Sequence, residues 1–300
     1  MTRRRFPFDG PLDLERTLAP LRRGFGDRTM RLAGSRAWRA TRTPDGPATL
    51  ALEVRSGEVL AEAWGPGADW ALAGVPELVG LVDDATGFAP RHPLVAALAR
   101  RFRGIRVTRT RAVFESLLPA ILEQKITGEE ARTSYRAIIR RFGDDAPGPP
   151  ELGLRLAPAA ERLSRIPYHE FHPLGIERRR SEVIRRAAAR ATWLEATTDL
   201  PIDAAYRRLT ALPGIGPWTA AETAVRALGD ADAVSIGDYH IPTLVCRMLA
   251  GESSGTDARM LELLEPYRPH RARVVRLLEA APDFGQRRGP RLAPRRIEAM

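Results

Sequence analysis

The residues best suited to chemistry are a proline- and glycine-rich string, Leu212-Pro213-Gly214-Ile215-Gly216-Pro217-Trp218-Thr219-Ala220, and the aspartate in Val234-Ser235-Ile236-Gly237-Asp238-Tyr239-His240. Glycine reaches positive φ and, lacking a Cβ, lets another molecule approach its backbone. Pro217 suits the first position of a helix, where a missing N–H is no loss. Backbone groups of Gly214, Ile215, Gly216 and Thr219 then point outward at a helix N-terminus, which suits an anion such as a phosphate. The same string also fits a tight turn between helices whose glycines serve steric needs alone. Asp238 lies just before Pro242, which is tolerated only in the first turn of a helix. It can be read as an N-cap. It can also be read as a carboxylate kept ionised by the helix dipole and facing a developing cation.

Other elements must hold these groups in place. Ile202, Tyr206 and Leu209 recur at helical spacing and lead into the turn. Trp218, Ala221, Val225 and Leu228 are expected to mark one face of the helix after it, with Gly229 at its end. Val113, Leu117 and Ile121 form an i, i+4 stripe on an earlier helix, and Thr127-x-x-Glu130 is a capping box that starts the next. The buried face of that next helix should hold Ala131, Tyr135, Ile138 and Phe142. Gln124, Lys125 and Ile126 are thereby forced into a short turn between two packed helices. Lys125 is the single lysine of the chain. Its stem can fill an apolar gap while its ammonium reaches a phosphate, or it can be a solvated turn residue.

On the string from Leu212 to His240, together with Ile121-Leu122-Glu123-Gln124-Lys125-Ile126-Thr127, the chain resembles the helix-hairpin-helix DNA glycosylase superfamily, and within it bacterial 3-methyladenine DNA glycosylase II. The resemblance covers nearly the whole chain and implies a hairpin bound to the DNA backbone, Asp238 as the catalytic residue, and Gln124 and Lys125 in a loop wedged into DNA where the damaged base leaves. It implies an enzyme of base excision repair acting on double-stranded DNA with alkylated purines, as a monomer, without metal or cofactor, in the nucleoid-associated cytoplasm. Trp218, Tyr239, Tyr168, Phe171, His172 and His270 are candidates for the base pocket. Trp218 fits a core position equally well, and Tyr168, Phe171 and His172 could instead pack a loop. The family's wedge is often apolar, so Lys125 is a departure, as is His270, where the family pattern favours a base-stacking tryptophan. Relatives that also cut the strand carry a lysine two residues past the second hairpin glycine; that position is Trp218, which implies a monofunctional enzyme and weakens the reading as an oxidised-base glycosylase. A non-catalytic clamp or damage sensor built on the same hairpin is the alternative.

Composition fits this picture. Against 37 acidic residues stand 47 basic ones, a net charge of +10 across 300 residues, which suits a polyanionic partner. Basic clusters occur at Arg3-Arg4-Arg5, Arg178-Arg179-Arg180, Arg268 to Arg276 and Arg287 to Arg296; most are expected to be solvated surface. Cys246 is the single cysteine, too few for an internal disulfide or for the four-cysteine cluster of some relatives. No apolar run is long enough for a bilayer, and no apolar segment follows Met1-Thr-Arg-Arg-Arg, so neither a membrane span nor a secretory signal is expected. His169-Glu170-Phe171-His172 is one residue short of a zinc-protease signature and lacks a third ligand. Alternating segments at Ala37 to Thr43, Thr49 to Val54 and Val59 to Trp64, with a helix from Asp69 to Leu81, predict a small α+β domain with an antiparallel sheet over 1–85. A linker, Ala85 to His92, leads to a helical two-lobed domain over 86–300, with the hairpin on the rim of a cleft.

Overall fold

The computed structural model describes residues 1–282, so the basic cluster from Arg287 to Arg296 lies outside the described residues. Strands β1 (Thr2–Pro7), β2 (Met30–Ala33), β3 (Arg36–Thr43), β4 (Gly46–Arg55) and β5 (Glu58–Trp64) form one antiparallel sheet in the order β1-β5-β4-β3-β2. Ser56 and Gly57, at φ 53° and 78°, make the two-residue turn that sets β4 against β5 in the register Arg55 to Glu58. Both central residues of such a turn need positive φ for its twist to match that of the strands. Helices α1 (Leu14–Leu18), α2 (Ala68–Ala73) and α3 (Val75–Leu78) complete this layer; Leu14, Leu18, Leu50, Leu52, Ala61, Ala63 and Leu72 are its core.

Here the structure differs from the sequence reading in three ways. The sheet has two more strands than the alternation predicts. Strand β2 is four residues long, too short for a clear period. Strand β1 holds the Arg3-Arg4-Arg5 cluster, which lies at the sheet edge and faces Glu62, Asp69 and Glu58; charge on an edge strand discourages pairing with other chains. The single helix expected over Asp69 to Leu81 is broken, because Gly74 ends α2 and Pro76 sits in the first turn of α3.

The remainder is mostly helical: α4 (Pro93–Arg101), α5 (Val113–Leu122), α6 (Gly128–Phe142), α7 (Ala160–Arg165), α8 (Tyr168–Phe171), α9 (Arg178–Ala188), α10 (Ala191–Glu195), α11 (Ile202–Thr210), α12 (Pro217–Ala227), α13 (Ile241–Ala250), α14 (Asp257–Leu264) and α15 (Arg271–Glu279). A two-stranded ribbon of β6 (Asp144–Asp145) and β7 (Arg155–Leu156) interrupts them, and Leu154 and Leu156 pack on Ala40 of the sheet. Two helical cores result. One is built from α5, α6, α9 and α12 around Leu117, Ile121, Ile138, Ile184 and Ala220. The other joins α4, α13, α14 and α15 around Val95, Val245, Met260, Leu264 and Val274. The segment from Gly229 to His240 runs from one core to the other and carries Asp238.

Polar contacts fasten the sheet layer to the first helical core. Both carboxylate oxygens of Glu115 in α5 are held from β3, one by Arg39 Nη2 at 2.6 Å and the other by Thr41 Oγ1 at 2.7 Å. Glu195 in turn accepts the amides of Val113 and Phe114 at 2.8 and 2.9 Å, supplying acceptors to the buried start of α5. Among the described residues, no helix is long and apolar enough to cross a membrane.

Candidate active site at the hairpin

The turn between α11 and α12 is shaped by two glycines with different reasons to be there. Gly214 sits at φ 97°, and a Cβ on it would lie 2.4 Å from Val183 Cγ2 of α9, so both backbone and packing demand glycine. Gly216 is extended at φ −97°, and a Cβ on it would meet nothing within 4 Å. Nothing inside the protein requires Gly216 to be small. Regular helix bonding starts at Ala220, whose amide donates to Gly216 O at 2.9 Å. Among the described residues, the amides of Gly214, Gly216, Trp218 and Thr219 have no protein acceptor. They make a cluster of donors at the positive end of an eleven-residue helix. Ile215 is not part of that cluster: its amide donates to Leu212 O at 3.0 Å and its side chain is buried in the core. The Thr219 side chain is also buried, so this residue offers only its backbone to an anion.

Three side chains hold the turn. Gln124 Nε2 donates both to Gly214 O and to Thr219 Oγ1, each at 2.9 Å, tying the loop after α5 to the hairpin. Arg186 Nη1 donates to Pro213 O at 2.6 Å. Arg180 is fully buried and donates from Nη1 to Leu122 O at 3.0 Å, closing the end of α5 just before the loop. Lys125 then stands exposed at φ 58°, between a pinned Gln124 and the Thr127–Glu130 capping box, which is present with both reciprocal bonds.

Asp238 is half-buried ahead of α13. Its Oδ1 accepts the amides of His240 and Ile241 at 2.7 and 2.8 Å, and its Oδ2 accepts the indole N–H of Trp218 at 2.9 Å. The carboxylate thus caps one helix and is bonded to the first turn of another, the hairpin helix itself. One turn along α12, Glu222 takes the Ser235 hydroxyl and the Arg226 guanidinium. Burial works to raise the Glu222 carboxyl, but Arg226 and Ser235 outweigh it and hold the group below its usual range. Glu279 of α15 goes the other way. Burial pushes it up, Arg276 offsets part of that, and Glu222 and Asp238 add to the rise. The surroundings of Asp238 thus include two further carboxylates, Glu222 paired with Arg226 and Glu279 paired with Arg276, a feature the sequence reading missed; the 218, 222, 226 spacing on one helix face was the available signal.

The aromatic candidates scatter. Trp218 meets Asp238, and Tyr239 beside it is 80 % exposed, edge-on to His240. Phe171 is fully buried against Phe142 and belongs to the core. Tyr168 and His172 contact one another, and Arg178 covers the Tyr168 ring; among the described residues no hydrogen bond or ring contact joins them to the hairpin or to Asp238. His270 is buried edge-on to Phe88, with Nε2 at 3.1 Å from Thr86 O, so it is a packed core residue and not a free stacking surface. The buried face of α12 is Thr219, Ala220, Ala221, Thr223, Ala224 and Ala227, whose small side chains allow close approach to α5; of the expected face Ala221 is buried, while Trp218, Val225 and Leu228 are half-buried, with Leu228 packed on the core that holds α5. The arginines from Arg268 to Arg276 are also structural: Arg271 and Arg268 pair with Asp232, Arg273 with Asp83, and Arg276 donates to Arg16 O.

No family model matches the chain. A probable bifunctional transcriptional activator/DNA repair enzyme AlkA of Mycobacterium tuberculosis is 30% identical over 147 residues, 49% of this chain and 29% of that protein. A DNA-3-methyladenine glycosylase of Bacillus subtilis is 26% identical over 201 residues, 65% of this chain and 66% of that protein. The fold matches a 3-methyladenine DNA glycosylase from Archaeoglobus fulgidus with a TM-score of 0.76 and 20% identity, over 92% of this chain and 98% of that one. In sequence the chain is similar to these AlkA and DNA-3-methyladenine glycosylase proteins, and in fold it is similar to the Archaeoglobus structure. It shares with that structure an antiparallel sheet followed by a mostly helical region. It spans less than a third of the length of the Mycobacterium relative, 29%.

Proposed function

We propose that the protein is a monofunctional DNA glycosylase of base excision repair that removes alkylated, cationic purines such as 3-methyladenine from double-stranded DNA. The observation that carries this reading is the direct bond from Trp218 in the hairpin helix to Asp238. A phosphate seated on the open amides of Gly214, Gly216, Trp218 and Thr219 fixes the sugar-phosphate chain relative to that carboxylate. Alkylation at a ring nitrogen makes the base cationic, so it leaves without protonation. The C1′–N bond breaks, its electron pair neutralises the departing base, and positive charge develops on the sugar. Asp238 stabilises that charge and takes a proton from the water whose oxygen bonds to C1′.

The second reading is a clamp that binds damaged DNA without turnover. It draws support from the three hydrogen bonds that Asp238 already accepts, since they would suit a purely capping role. Incubation with methylated DNA, with scoring of free bases and alkali-labile sites, separates the two. The enzyme releases methylated purines and leaves abasic sites; a clamp binds and releases nothing. The hairpin position occupied by Trp218 holds no amine, so borohydride should trap no covalent complex on lesion DNA.

A further inference from the structure

The turn Gly24-Phe25-Gly26, ahead of β2, presents a phenyl ring that is 90 % exposed. Among the described residues it is more open than any other large hydrophobic side chain, Tyr239 following at 80 %, and the turn that carries it is held in place. The glycines on either side stand at φ 80° and 87°. The buried Asp27 carboxylate accepts the Arg23 amide at 2.7 Å and the Thr29 amide and hydroxyl at 2.8 Å. Arg136 of α6 donates to Phe25 O at 2.9 Å.

The turn is fastened to both sides of the Lys125 loop. Arg23 Nη1 lies 3.3 Å from Glu123 Oε1, two residues before Lys125. On the other side Arg132 passes between the turn and the start of α6: a Cβ on Gly24 would lie 2.4 Å from its Cδ, and a Cβ on Gly128 would lie 3.0 Å from its Nη1. Phe25 and Lys125 therefore protrude from one rigid neighbourhood, although a hundred residues separate them in sequence. Around Phe25 stand Arg22, Arg28, Arg31, Arg132 and Arg136, none of which has a carboxylate within ion-pair distance among the described residues. Phe25, Arg22, Arg28 and Arg31 line an open groove that Leu152 to Leu154 close on the far side. An exposed aromatic ring among unneutralised guanidiniums has the chemistry of a base-stacking platform with phosphate contacts beside it.

We propose that Phe25 is a second stacking element for damaged DNA, resting on the base left without its partner at the lesion, while Arg22, Arg28 and Arg31 take phosphates of the same strand. It supplies the apolar surface that Lys125 lacks. This rests on the DNA-binding reading above.

The test uses the full chain and two duplexes that need no catalysis. One holds a tetrahydrofuran abasic analogue opposite 2-aminopurine; the other is undamaged. Phe25→Ala should weaken binding to the abasic duplex by about tenfold or more, leave binding to the undamaged duplex within about twofold, and change the 2-aminopurine emission of the complex. Phe25→Trp should restore affinity, with its indole emission quenched on the abasic duplex. Equal affinity of Phe25→Ala and the parent for the abasic duplex would overturn the proposal, as would equal weakening on both duplexes. Phe25-dependent self-association with DNA binding unchanged would also overturn it. Absence of any DNA affinity in the parent would overturn the DNA-binding reading with it, which separates the two failures.

Discussion

Helices α6 and α12 begin on either side of Gln124 and close their first turns in opposite ways. At α6 the Thr127 hydroxyl accepts the Glu130 amide and the Glu130 carboxylate accepts the Thr127 amide, so the helix start is satisfied from within. At α12 the N-cap is Gly216, which has no side chain to offer, and the amides of Gly216, Trp218 and Thr219 stay open among the described residues. A glycine N-cap is less stable than a Ser, Thr, Asn or Asp cap by about a few tenths of a kcal/mol. Its presence beside a fully capped neighbour, in a turn otherwise pinned by Gln124 and Arg186, shows where the fold tolerates unsatisfied donors. The capped start serves stability, and under the proposed function the open one receives a DNA phosphate.

Substitutions at the two starts should separate these roles, beginning with the largest effect. Gly214→Val places a branched side chain at φ 97° against Val183. It should lower stability by about 2–4 kcal/mol and abolish DNA binding together with it, measured by thermal melting and fluorescence anisotropy. Gly216→Ala meets no protein atom within 4 Å; it should melt like the parent while binding DNA about tenfold more weakly, a loss of roughly 1.4 kcal/mol from obstructed phosphate approach. Unchanged affinity would mean that the open amides carry no phosphate. Thr127→Ala should do the reverse, costing about 1 kcal/mol of stability with no change in DNA affinity beyond twofold.

The same contrast explains which parts of the molecule could be read in advance. The α5–α6 pair was legible because Leu117, Ile121, Tyr135 and Ile138 follow the helical period and Thr127 and Glu130 carry their cap with them. The hairpin was legible for the opposite reason, since proline and glycine there break the pattern. Strand β1 was not, because its arginines are placed by partners on β5 and at Asp69, distant in sequence. Arg180 and His270 were misjudged for a similar reason: their residue types suggest surface and pocket, while burial is decided by Leu122 O and by Phe88 with Thr86 O. Ile215 and Thr219 share the hairpin with the glycines, yet the side chains of both turn inward. Proximity in sequence located the turn but not which of its groups stay open.

The most direct test is single-turnover release of 3-methyladenine from a defined duplex by the parent and by Asp238→Asn, with DNA affinity measured on the same samples. Asparagine can keep the cap on His240 and Ile241 through its oxygen and gives up only the Trp218 bond, since its NH2 would face the indole N–H, so the variant should fold and bind DNA within about twofold of the parent. The account predicts that its release rate falls on the order of 10²–10³-fold, the size seen when a group that stabilises transition-state charge is lost. A folded Asp238→Asn variant that releases the base at the parent's rate would contradict it.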